Sequence, residues 1–461
     1  MKKHHLALAI GLTSALTLTA CGGGGSSSKG DNSGQQPPPA QQQKVVRGTI
    51  DGFGSVIVNG VRYNTDGADF KVKEKSGTQA DLRVGQVVTL LADGTTATHV
   101  IYDLSLEGPI SAFNGQNGFQ VLGQNVITNS LTIFEDTALA ALGVGSQVEV
   151  SGYVDASGNL VASFVGLDSD DNDEVELRGT ISHLDESAKT FQLRGQKINF
   201  SNVSEWDLEG ATLRDGLRVE VEGSLSGLVL NATSIEAEDE DFDEGTKLTI
   251  SGLISGLDIN TKTLLVNGVK VQFSANTKLD DFNLSALVDG LSIEVEGRVD
   301  AQGVLIAEEM DLADTSEISV EASISNIEKT DEFSGKIIVL GLEISVDMRT
   351  RMRDDGNRHN TMFNFGSLRT GDKIELTLIK EGQNYRALKL ERDNDDSSEV
   401  KLELPASLIN FANGTALGVS FSVAAGVHFP SVIPADVQVE MKGHFNGGVL
   451  IVREIEIDDQ D

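Results

Sequence analysis

Cysteine is almost absent. The 461 residues hold one, so no intrachain disulfide can form, and sites built from several thiolates, such as structural zinc or iron–sulfur clusters, are excluded. Aromatics are few, with 18 Phe, 4 Tyr and 1 Trp. Four Tyr and Trp206 cannot build the girdles of a transmembrane β-barrel, and a single Trp is poor provision for the sugar-stacking cleft of a glycosidase. Basic residues are outnumbered, 36 Lys+Arg against 70 Asp+Glu, for a net charge of −34. That field repels phosphate backbones, so no nucleic-acid partner is expected. Catalytic signatures are missing too. There is no G-x-S-x-G elbow and no Walker A run, and Gly143-Val144-Gly145 meets Val148 where a third glycine would belong. The Ser26–Lys29 pair lies in a low-complexity stretch that could not hold it rigid. The histidines His99, His183, His359, His428 and His444 are scattered, with no close ligand spacing between them. Neither a cofactor nor a resident metal is expected.

What is present begins with an address. Lys2 and Lys3 precede an apolar stretch from Leu6 to Leu18, too short to span a membrane and proportioned like an export signal. Small residues then lead to the only cysteine, in Leu18-Thr19-Ala20-Cys21. These four residues resemble the lipobox of bacterial lipoproteins. The resemblance implies cleavage before Cys21, a diacylglycerol thioether on its sulfur and an acylated amino terminus, and two or three acyl chains anchor stably where one does not. Residues 1–20 are read as the signal peptide, and their loss takes the charge to about −36. Gly22, where an Asp in such lipoproteins favours retention at the inner membrane, points to the outer membrane, with the body facing periplasm or cell surface. Residues 21–44 form the lipidated end and a Gly-, Ser-, Gln- and Pro-rich tether.

The remainder repeats. An opening piece recurs as Arg47-Gly48-Thr49-Ile50, Glu107-Gly108-Pro109-Ile110, Arg178-Gly179-Thr180-Ile181 and Ser251-Gly252-Leu253-Ile254, more weakly at Ala322-Ser323-Ile324 and Ala406-Ser407-Leu408. A glycine turn recurs as Val58-Asn59-Gly60-Val61, Leu193-Arg194-Gly195-Gln196, Val266-Asn267-Gly268-Val269 and Leu340-Gly341-Leu342. The plainest copies are Val148-Glu149-Val150-Ser151-Gly152, Val219-Glu220-Val221-Glu222-Gly223, Ile293-Glu294-Val295-Glu296-Gly297 and Val439-Glu440-Met441-Lys442-Gly443. Alternation in these runs predicts half-buried strands with Val inward and Glu facing water. Asn-Gly between apolar runs predicts tight hairpins, and the closing Gly a bulge. Helical pattern is limited to short stretches near Thr137–Leu142 and Leu284–Val288. Six modules follow, at 45–104, 105–167, 175–238, 246–312, 318–392 and 399–459. The sixth lacks the Asn-Gly turn and the fifth carries extra residues before Gly371.

This order of strands, hairpin and short helical turn resembles that of OB-like barrels. The whole layout is similar to bacterial lipoproteins made of tandem copies of a small β domain of unknown function. The resemblance implies an all-β chain of about six small OB-like barrels, as beads on a string or a loosely packed array, and brings no catalytic residues with it. Acidic runs between modules, Asp168 to Glu174, Glu236 to Glu244 and Asp393 to Asp396, read as extended hinges. Neighbouring modules are expected to pair where the connection is short, as between the first two.

Two sets of residues are candidates for binding. Asp168, Asp170 and Asn172, and likewise Asp239, Asp241 and Asp243, match the first ligand positions of an EF-hand loop, but the glycine that loop needs is missing from both, so they are weak calcium candidates and the plain spacer reading is preferred. Arg349, Arg351 and Arg353 alternate, with Arg358 and His359 behind them, and on a strand would present one basic face. Either neighbouring Asp347, Asp354 and Asp355 neutralise it, or it contacts an anionic partner such as lipopolysaccharide, an acidic polysaccharide or another envelope protein. The expected function is a non-enzymatic, lipid-anchored envelope protein with a binding or structural role. The alternative is a cell-envelope hydrolase with a site at a module junction.

Overall fold

The computed structural model describes residues 43–458 apart from 116, 169–173, 209, 239–241, 281, 314–315, 356–362, 394–396, 430–432 and 436. Cys21 with the leader and the tether up to residue 42, and Asp170, Asn172, Asp239, Asp241, Arg358 and His359, lie outside the described residues, while Gln43 and Lys44, read as tether, open the first strand. Among the described residues the helical pieces are short 3-10 turns, and Leu139–Ala141 and Leu284–Ala286 stand where short helices were expected.

The fourth repeat shows the local plan. Its opening strand Lys247–Asp258 runs into the hairpin Thr263–Val266 and Val269–Gln272, then Lys278–Asp280, a 3-10 turn, and the long pair Ser292–Val299 and Leu305–Leu312. Two residue choices dictate this path. Asn267 and Gly268 both have positive φ, 51° and 84°, the combination a two-residue hairpin demands. At Gly297 the ladder shifts register, and a Cβ there would collide with the backbone carbonyl of Ile306. Gly152, Gly223 and Gly443 sit at the same register shift with the same close carbonyl. The sixth repeat, without Asn-Gly, makes its turn with Leu417-Gly418 at φ 55° and 93°.

The expectation of six separate OB-like barrels is corrected. The chain is all-β, about 60% strand, and is arranged as a β-solenoid of about 11 turns. The ladders show how one repeat runs into another. Among the described residues the strands fall into three sheets, of 13, 12 and 12 strands, each wider than one repeat can supply. Repeats two and three join antiparallel, Leu106 opposite Leu177. Repeats five and six join likewise, Val320 opposite Leu402. The first repeat joins the fourth, its opening strand running parallel to Lys247–Asp258 with Lys44 opposite Lys247 and Arg47 opposite Ile250. A 60-residue β unit buries too little surface to be secure alone, and its edge strands expose unpaired backbone groups. Pairing the opening strands relieves both problems.

The cores follow the sheets. One buried cluster runs from Ile318 to Val452 through repeats five and six, and another from Leu106 to Ile235 through two and three. The first repeat packs on the second, taking Ile133 and Phe164 into its own core, but its sheet partner is the fourth, whose core takes Val45. The acidic run after the third repeat is not a plain spacer over its described part. Glu236 belongs to strand Val229–Ala237, and Glu238 is ion-paired.

Candidate functional site

The joint between repeats two and three positions an unusual row of side chains. On strand Glu174–Asp185, Val175 and Leu177 enter the core, so Glu176 and Arg178 lie on the other face. Register then aligns one row across the sheet: Glu149 faces Glu107, Glu107 faces Glu176, Glu176 faces Glu222, and Glu222 faces Ser234. The next row sets Arg178 opposite Glu220 and Glu220 opposite Glu236. Of these, Glu149, Glu220 and Glu222 belong to the runs expected to face water. Glu220 is instead 5% exposed, and Glu176 is 7% exposed.

Charges compensate the burial only in part. Lys73 of the first repeat reaches over the row to Glu107, at 3.4 Å, and Glu149. Arg178 meets Glu176 at 3.3 Å, Glu238 at 2.5 Å, Asp103 at 3.7 Å, and Glu220. Arg218 shares Glu238 at 2.7 Å. Burial pushes the Glu176 and Glu220 carboxyls up, against the pull of Arg178, and contact between the two lets one proton serve both. Glu238 goes the other way. Burial raises it, but Arg178 and Arg218 outweigh burial and hold it at about 2.

Beside this seam lies a cavity of about 660 Å³ where four repeats converge, lined by Arg47, Lys71, Asp103, Arg178, Arg194 and Glu220 among others. Arg47 and Arg178 occupy the same place in two copies of the opening piece, so repetition itself delivers both guanidiniums to one space. The sequence reading missed Arg178 and Glu220. Their signal was an Arg in the opening piece, as at Arg47, and the first Glu of Val219-Glu220-Val221-Glu222, visible only once the strands were in register.

The arginine stripe lies at another joint. Arg349 is exposed and pairs with Asp347 at 3.0 Å. Arg351 donates to the carbonyl of Leu131 at 2.9 Å and faces Asp51 at 3.6 Å. Arg353, 7% exposed, donates to the carbonyl of Phe134 and pairs with Glu135 at 3.1 Å, Asp355 at 2.6 Å and Glu391 at 3.0 Å. Two of the three arginines thus meet anions of the first and second repeats of the same chain. Asp354 pairs with Arg392 instead. A second cavity, of about 1260 Å³, opens beside Arg353 between the second repeat and the last two. Of the calcium candidates within the described residues, Asp168 is half-buried and Asp243 exposed. The acidic side chains close enough to share an ion, among the described residues, are Glu176, Glu220 and Glu222, on strands and not in the linkers.

These features define a tandem-repeat, all-β protein with charged joints between repeats. The pattern of a domain of unknown function, DUF5666, matches residues 107–166, 178–236, 251–311 and 323–391, more than half of the chain. The chain belongs to that family, with four matched copies. No curated protein matches it. Among solved structures, drosophila Unr CSD456 is similar at 15% identity and a TM-score of 0.12, covering 47% of this chain and 96% of that one; a likeness so slight carries no argument.

Proposed function

We propose that this protein is a non-enzymatic element of the bacterial envelope, held to the outer membrane by lipid on Cys21, whose joined repeats serve as a structural or binding body. The observation that carries this reading is where the buried charges go. Arg351, Arg353, Lys73 and Arg178 each bridge one repeat to another, which suits a body built to hold its shape. The lipobox-like Leu18-Thr19-Ala20-Cys21 supports the anchor. An envelope protein, polysaccharide or lipopolysaccharide is the partner class such an address favours. The test is a capture experiment: the full protein, purified in detergent, is offered to solubilised envelope fractions and to isolated polysaccharide. Salt-stable retention of one envelope component supports the reading. Turnover of an envelope substrate, with no retained component, sinks it.

One observation favours the hydrolase reading. Glu176 and Glu220 are buried carboxyls with raised proton affinity at a repeat joint, a feature of acid–base sites. Arg178 in contact with both argues for a structural cluster. Loss of any envelope-substrate turnover in Glu220→Gln would favour the enzyme.

A further inference from the structure

We propose that Glu176, Glu220, Glu222 and Ser234 form a binding site for a hard divalent cation of the calcium class, at the joint of the second and third repeats. One ligand oxygen from each Glu lies within 4.8 Å of the others. That span matches the diameter of a calcium coordination sphere, whose oxygens stand at about 2.3–2.6 Å from the ion. The carboxylates arrive on two adjacent strands held in register, so the site's width is set by backbone pairing.

Charge points the same way. Three carboxylates, Glu176, Glu220 and Glu222, converge there, and Arg178 contacts the first two.

The independent observation is Ser234. It stands directly opposite Glu222 in the ladder, and its neighbour Ile235 points into the core, so its hydroxyl shares the face of the carboxylates. The residue is 4% exposed and its Oγ has no hydrogen-bond partner. A buried hydroxyl is normally paired, and a bound cation would give this oxygen its partner. Glu220, lining the cavity where four repeats converge, marks the entry path. The donor set is all oxygen, which excludes the soft metals that seek thiolate or imidazole.

The test uses the full protein in detergent, with terbium and calcium as probes. Tyr102, whose buried phenol feels the charge of Glu176, is a local donor for sensitised terbium emission. Terbium emission should appear on binding and fall when calcium is added, and calcium should raise the melting temperature relative to chelator. Glu222→Gln and Ser234→Ala should each weaken calcium roughly tenfold or more, with far-ultraviolet dichroism unchanged. Should Glu222→Gln fail to fold, the Ser234→Ala titration decides alone. The proposal is overturned if calcium leaves the melt unchanged, if both variants bind as the native protein does, or if Asp170→Asn with Asp241→Asn in the linkers removes the response instead.

Discussion

The side chain of Asn267 occupies the space that a Cβ on residue 252 would need, and its Nδ2 donates to the carbonyl of Ser251 at 2.7 Å. The glycine of the opening piece and the asparagine of the hairpin turn are therefore one device. Gly48 and Asn59 repeat the close fit in the first module, but without the hydrogen bond from the amide nitrogen. Gly252→Ala should displace Asn267, break its bond and cost about 1–3 kcal/mol. Gly297→Ala should cost more, because its obstacle is the carbonyl of Ile306, which cannot rotate away. Urea unfolding of the two variants checks the order.

Arg353 ties the fifth repeat to the second. Arg353→Met would take one cation from each of Glu135 and Glu391, which keep Arg83 and Lys389, and about 1–3 kcal/mol should be lost. Arg349→Gln, at an exposed pair, should stay within about 0.5 kcal/mol. Limited proteolysis should cut Arg353→Met faster than the native chain. Equal cleavage and equal stability would make the whole stripe a solvated face.

Stability should fall as pH rises from 5 to 8. Burial pushes Asp51 up to about 6, although Arg351 and the amides of Gly60 and Asn59 pull it down. Burial likewise pushes Glu294 up to about 7, with Ser251 opposing and Asp311, Asp51 and Glu296 adding to the rise. Both groups hold protons more tightly folded than unfolded, so their contribution is complete below about pH 4 and lost as pH passes 6 to 7. Glu238, held at about 2, works in the opposite direction and weakens the fold below about pH 4.5. The melting temperature should therefore peak near pH 5. Glu294→Gln should raise the melt at pH 8 and flatten the slope. A flat native profile would contradict this.

Labelled palmitate should enter the native protein, and Cys21→Ala should abolish the label and release the protein from membranes. Labelling that persists in Cys21→Ala would remove the anchor from the account.

Local structure was legible because it is written in short-range patterns. Val-Glu-Val-Glu-Gly predicted a strand ending in a bulge, and the register shifts at Gly223 and Gly297 lie there. Asn-Gly predicted hairpins, and Asn59 and Asn267 have the positive φ they require. Turns at Leu122-Gly123 and Leu417-Gly418 escaped notice, although Leu340-Gly341, read as a turn, has the same positive φ at leucine. Which repeat meets which was not legible. The opening strands resemble one another, and Lys44 carries no sign that its partner is Lys247, three modules further on. The buried charges misled for a related reason. Glu220 alternates with valine as a solvent-facing residue would, and becomes buried only because Arg178, Asp103 and the first repeat close over it.

The pairing of the first repeat with the fourth tests the joined body most directly. Lys44 and Lys247 are register partners on adjacent parallel strands, within reach of a disulfide. In a Cys21→Ser background, Lys44→Cys with Lys247→Cys should oxidise to a cross-linked species of altered mobility without reductant. Lys44→Cys with Glu174→Cys, at the start of the third repeat, should not. Ready cross-linking of the first pair alone is the predicted result. No cross-link between 44 and 247, or equal cross-linking of both pairs, would contradict a body in which the repeats are joined edge to edge.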